Sequence, residues 1–216
     1  MKNSLKRITA AVLLLACMVF LAPALAGTST ENKGTAVQSS GSPGLEQRLN
    51  ALHPFKFEKH KKGIGYGKCP VYTAPSASSY RCADGRAAVQ TNDAMDDAGY
   101  VSGWLMVRYE TSNGNYRVGY IPPKYVKGYK SKMAPHFDYI PATADDTIYV
   151  TDNPMSHIGS FAMLEPGETF YILSYYNYYA KNGLDWWYIE CEVDGQVARG
   201  FIDRSLSAFH LGSAGE

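Results

Sequence analysis

Two stretches of this chain carry the same local design. "GWLMVRYETSNGNYRVGYIP" runs from Gly103 to Pro122, and "WWYIECEVDGQVARGFID" runs from Trp186 to Asp203. Each opens on a tryptophan strand, reaches Asn113-Gly114 or Asp194-Gly195, and returns to Gly119-Tyr120-Ile121 or Gly200-Phe201-Ile202. Asn-Gly and Asp-Gly tolerate the positive φ angles of a two-residue type I′ turn, whose twist suits antiparallel strands. Both windows therefore predict β-hairpins. Trp104 precedes Gly119 by 15 residues and Trp187 precedes Gly200 by 13, so the second hairpin is expected to be two residues shorter. Upstream, "ADGRAAV" from Ala83 aligns with "EPGETFY" from Glu165, and "VYTAPS" from Val71 aligns loosely with "VTDNPMS" from Val150. Matching features in the same order indicate an internal duplication.

Each copy holds short strands separated by Gly, Pro, Asn and Asp turns, a pattern that suits a small, strongly bent β-barrel. The expected fold class is all-β, with two tandem barrels over residues 63–130 and 138–210. Seventeen tyrosines fit this reading, because tyrosine favours strands and binding surfaces. So small a barrel buries little core, and pairing of the copies or a disulfide would help it. Cys69 and Cys82 flank a loop of Pro, Ser, Ala and Tyr, and a disulfide between them is expected. Closing that loop would contribute roughly 3 kcal/mol on the chain-entropy model. Cys191 lies in a strand pattern and reads as a buried small hydrophobe.

The first 26 residues read as a secretory signal. Lys2, Lys6 and Arg7 precede an apolar run from Ile8 to Leu21, and Ala24-Leu25-Ala26 has the form of a cleavage site. The expected location is therefore outside the cytoplasm, secreted or associated with the cell wall. Leu14-Leu15-Ala16-Cys17 resembles a bacterial lipobox, which leaves a lipid anchor on Cys17 as an alternative. No other stretch is apolar and long enough to span a bilayer. Residues 27–62 form a Gly-, Ser- and Thr-rich linker, with a short helix expected where Leu45, Leu49 and Leu52 recur before Pro54. Charge is unevenly spread. Residues 27–137 carry 15 basic and 8 acidic side chains, and residues 138–216 carry 3 and 12. Opposite signs suit two solvated surfaces, two halves that face each other, or a cationic ligand on the acidic half.

"GYIPPKYV" from Gly119 to Val126 resembles the last-strand signature of Src-homology-3 (SH3) domains, and "DWWYIE" from Asp185 resembles their tandem-tryptophan strand. With the leader and the duplication, the chain looks most like the bacterial SH3-like domains of secreted wall proteins. In eukaryotic SH3 domains the matching Pro and Tyr line a peptide groove with the first tryptophan. The resemblance carries Pro122 and Tyr125 over from the first copy, with Gly103 at the tryptophan position. It carries Trp186 over from the second, with Asp203 and Leu206 at the Pro and Tyr positions. The remaining candidates are in "SYYNYYAKNGLDWW". Exposed rings among Tyr175, Tyr178, Tyr179 and Trp186 could stack on sugars or hold a peptide, while Trp187, Ile189 and Tyr176 are expected in the core. Packing between the two domains is the competing role for the same cluster.

Nothing in the sequence spells catalysis. His53, His60, His136, His157 and His210 sit in no HExxH or HxH pattern, and neither a GxSxG elbow nor a phosphate loop is present. Asp96-Asp97 and Asp145-Asp146 are sequence neighbours, which point apart on extended chain. No CxxC or clustered Cys/His spacing suggests a metal, and no cofactor is implied. Basic residues are not interleaved with aromatics, so nucleic acid is not an expected partner. The sequence therefore reads as a non-catalytic binding protein for cell-wall polymer or peptide. Two alternatives remain: an interaction protein whose aromatic faces pack between domains or onto a protein partner, and a small cysteine-dependent wall hydrolase.

Overall fold

A computed structural model describes residues 44–59, 63–65, 67–82, 85–156, 159–178 and 183–212. The leader with Cys17, the linker up to residue 43, Tyr179, His60 and His157 lie outside the described residues. The fold is all-β apart from helix α1 (Leu45–Asn50) and a 3₁₀ turn at Pro123–Tyr125. The first half contributes β1 (Glu58–Lys59), β2 (Lys68–Pro70), β3 (Ala88–Gln90), β4 (Asp96–Val101), β5 (Trp104–Glu110) and β6 (Tyr116–Ile121). The second contributes β7 (Ile140–Ala144), β8 (Ile148–Val150), β9 (Ala162–Leu164), β10 (Thr169–Tyr178), β11 (Leu184–Val193), β12 (Gln196–Asp203) and β13 (Phe209–Leu211). They form a four-stranded sheet, β1-β4-β5-β6, and a five-stranded sheet, β12-β11-β10-β7-β13. Two short ladders, β2-β3 and β8-β9, accompany them. The hydrogen-bonded ladders close no barrel among the described residues.

Both predicted hairpins form, with different tips. β11 and β12 pair through Val193↔Gln196, which leaves a two-residue turn with Asp194 at φ +51° and Gly195 at φ +74°. β5 and β6 stop at Glu110↔Tyr116, and the Thr111 N–H then donates to the Asn115 carbonyl. Three residues remain in that loop, and only Gly114 has positive φ, +75°. The expected type I′ turn at Asn113-Gly114 is therefore replaced by a three-residue loop with glycine in the left-handed position. A two-residue turn does occur one hairpin earlier, at Ser102 (φ +49°) and Gly103 (φ +81°) between β4 and β5.

The two hairpins occupy equivalent places. Tyr72 bridges Tyr120 as Thr151 bridges Phe201, each by a reciprocal pair of backbone hydrogen bonds. Gly119 and Gly200 precede those bridge residues, and both are needed for close approach. A Cβ on Gly119 would fall 2.5 Å from Val71 Cγ1, and one on Gly200 would fall 2.5 Å from Val150 Cγ1. β4 is bulged between Asp97 and Gly99, and β10 between Ile172 and Ser174. The extra residues, Ala98 and Leu173, are both buried.

Three apolar clusters result. One lies within the first half around Leu105, Val107, Ile121 and Cys69. Another lies within the second around Ile172, Trp187, Ile189 and Ile202, with Leu45, Leu49 and Leu52 resting on it. The third joins the halves: Met106, Val118 and Tyr120 from the first meet Leu173, Tyr176, Trp186, Tyr188 and Phe201 from the second, with Phe55 among them. Cys69 and Cys82, expected to be joined, are free buried thiols packed in the first-half core, and Cys191 is a third.

Candidate functional site

Of the aromatic candidates read from the sequence, Trp186 is packed inside the molecule and Tyr175 and Tyr178 are half-buried. Alternation along β11 sends Trp187, Ile189, Cys191 and Val193 into the second-half core and Leu184, Trp186 and Tyr188 into the shared core. Trp186 is 3% exposed and Trp187 7%. Tyr178 is half-buried against the shared core. Tyr175 is half-buried beneath Arg204, whose guanidinium lies 4.2 Å from its ring centre and 4.4 Å from that of Trp187. Pro122 is buried, and Tyr125 is half-buried on the first-half core with Lys124 Nζ 4.9 Å above its ring. These candidates share no open surface. Tyr120 faces Met106, and its counterpart Phe201 faces Tyr188. Two residues earlier in each strand are Trp104 and Trp186, so Trp104, not Gly103, holds the first copy's tryptophan position. The sequence alignment was one residue out because the hairpin loops differ by one residue rather than two.

Two arginines fasten the halves reciprocally. Arg108, on β5, pairs with Asp96 and donates from Nη1 to the Tyr176 hydroxyl in the other half at 2.7 Å. Arg199, on β12, pairs with Glu190 at 2.8 Å and donates from Nη1 to the Tyr120 hydroxyl at 3.0 Å. The Tyr188 hydroxyl is also bonded to that of Tyr120, at 3.1 Å. Burial disfavours the Arg199 charge, but Tyr120, Tyr188 and Glu190 outweigh it and hold its pKa above the ordinary value. Burial raises the hydroxyl pKa of Tyr120 and of Tyr188. A third tie runs from Arg117 to Asp152 at 2.5 Å, beside a hydrogen bond from the Val118 N–H to the Asp152 carbonyl.

A cleft of about 330 Å³ opens between the halves. The first half supplies Tyr72, Ser79, Tyr80 and Arg81, and the tip of the β11–β12 hairpin supplies Asp194 and Gln196. The Tyr80 N–H donates to the Val197 carbonyl at 2.9 Å and fixes one wall to the other. The Tyr80 ring also stacks on Phe161 at 5.8 Å. Trp104 meets the Tyr72 ring edge-on at 5.3 Å, and the Arg81 guanidinium lies 5.3 Å from the same ring centre. Arg81 Nη2 donates to the Ala87 carbonyl at 2.7 Å, and its buried Nε has no partner among the described residues. Neither Arg81 nor Asp194 forms an ion pair among the described residues, so the cleft carries a separated positive and negative charge. Sequence reading missed it because its walls come from positions more than a hundred residues apart. The signal present was Tyr72, Tyr80 and Arg81 flanking the Ser-rich loop.

The cysteines are poor nucleophiles where they lie. Burial pushes the Cys69 thiol up to about 11 and the Cys191 thiol up to about 12, and it raises Cys82 well above its ordinary value. A thiol held protonated attacks slowly. Among the described residues, no group of three or more His, Cys, Asp and Glu lies together, and no helix is long and apolar enough to cross a membrane. No family model matches the chain, and no curated protein or solved structure is significantly similar to it.

Proposed function

We propose that this is a non-catalytic exported binding protein of two SH3-like units, which holds cell-wall or peptide material in the cleft between them. One observation carries the reading: a small open cleft built jointly by both halves, with a fixed guanidinium over Tyr72 on one wall and Asp194 on the other. Its volume is at the lower end of ligand pockets, which suits a short segment rather than a folded partner. The leader and the resemblance to wall-associated SH3-like domains support an envelope ligand. The second reading, aromatic faces packed between domains, is favoured for the tyrosine–tryptophan cluster by the burial of Trp186 at 3% exposure. The two fit together, since the cluster unites the halves and the union makes the cleft.

Pull-down of the mature chain on isolated peptidoglycan tests the proposal. Retention is expected for the wild type and for Tyr125→Ala, and loss for Arg81→Gln with an unchanged near-UV spectrum. No retention of the wild type, or retention indifferent to Arg81→Gln, overturns it.

A further inference from the structure

We infer that the cleft selects a short peptide by both of its charged ends, the carboxylate on Arg81 and the ammonium on Asp194. This rests on the cleft being the ligand site. The two charges differ in sign, come from different halves, and are not within ion-pair distance of each other. A ligand that is only anionic meets Asp194 as a repulsive neighbour, and one that is only cationic meets Arg81. A zwitterion satisfies both.

The Arg81 guanidinium and the backbone that carries Asp194 are set before any ligand arrives. Arg81 is held by the bond from Nη2 to the Ala87 carbonyl and by the Tyr72 face, and with Nε buried it is Nη1 that is left for a carboxylate. Asp194 is the first residue of a type I′ turn at the tip of the β11–β12 hairpin, so backbone geometry sets the position of its Cα. Gln196, exposed on the same wall, offers a donor and an acceptor to a peptide group. The Tyr80–Val197 hydrogen bond sets the width between the walls. Two opposite charges on walls tied to each other favour a ligand that reaches both, because the second contact is then intramolecular.

Calorimetry on the full chain tests this, with alanyl-alanine in its L,L and D,D forms, the N-acetylated dipeptide and the C-amidated dipeptide as probes. Binding of either free dipeptide is expected, weakened roughly tenfold or more by each block, since one charge-assisted contact is removed each time. Arg81→Gln is expected to abolish the penalty of amidation, and Asp194→Asn that of acetylation. Asn tolerates positive φ, so the turn survives the second variant. Affinity falls as salt rises. Equal affinity for free and blocked dipeptides overturns the inference. Retention on peptidoglycan that depends on Arg81, without dipeptide binding, overturns it while leaving the proposed function standing. Absence of both overturns the two together.

Discussion

Trp186 and Trp187 are neighbours in sequence and lie in different cores. Period-two alternation places them on opposite faces of β11, and that much can be read from the letters. The sequence does not say that both faces are covered. A single β-sheet unit leaves one face to solvent, so an aromatic such as Trp186 on that face reads as a binder. The covering body is the other half of the same chain. Truncating Trp186 to Ala empties space among Phe201, Tyr188 and Met106 and is expected to cost about 3–5 kcal/mol. Urea titration checks this through a lower midpoint. A ligand-only role for Trp186 would leave the midpoint unmoved.

Titration of the buried thiols and of Tyr109 sets an alkaline limit. Burial raises Cys69 from 9.0 to about 11, Cys191 from 9.0 to about 12, and Tyr109 from 10.0 to about 12. Their folded values exceed the unfolded ones, so the stability they contribute is complete below pH 9 and falls as pH rises through the folded values. Thermal melts between pH 8 and 12 are expected to show Tm falling from about pH 9 onward. In Cys191→Ala the fall should be shallower. A flat Tm up to pH 11 would contradict the burial of these groups.

At the scale of elements, the hairpins were legible and their tips were not. Asn-Gly and Asp-Gly are equivalent turn signals, yet one builds a three-residue loop and the other a two-residue turn. The difference lies in register. Strand pairing is anchored from the other end, where Gly119 and Gly200 let the strand meet Val71 and Val150, and the loop takes up what remains. The tips therefore differ in their need for the left-handed region. Asp194 occupies it and Asn113 does not. Asp194→Ala is expected to cost about 1–2 kcal/mol, the steric penalty of that conformation, and Asn113→Ala close to nothing. Equal losses from the two variants in denaturant midpoints would refute the assignment of turn types. Gly119→Ala is a larger perturbation, because its Cβ would meet the Val71 side chain and the Tyr72 carbonyl at once.

For the whole molecule, the two matching hairpins are visible in the sequence, but the way the halves join is not. The joining residues do not repeat. Arg108 stands where the second copy has Glu190, and Arg199 stands where the first has Val118, by the register of the two hairpins. Each copy sends its own arginine to a tyrosine hydroxyl of the other, so no motif shared by the copies marks the join. The advance signs were the aromatic cluster, with packing between domains as its competing role, and the charge imbalance, which is met at Arg117–Asp152 and Arg48–Asp138. A buried arginine costs desolvation, which is offset only while its partners are in place. Separating the halves would break the Arg108–Tyr176 and Arg199–Tyr120 hydrogen bonds and expose the whole shared aromatic core to water. Neither half therefore has a low-energy folded state alone, and unfolding is expected to be one cooperative transition. Tyr120→Phe gives a clean probe, since Phe201 already fills the counterpart position. Its loss of a hydroxyl bonded to Arg199 and Tyr188 is expected to cost about 1–3 kcal/mol. If the halves unfold together, the far-UV and the aromatic near-UV signals shift by the same amount in that variant. Two separate transitions, with only the first-half one moved by Tyr120→Phe, would mean that the halves stand alone and that the cleft between them has no fixed width.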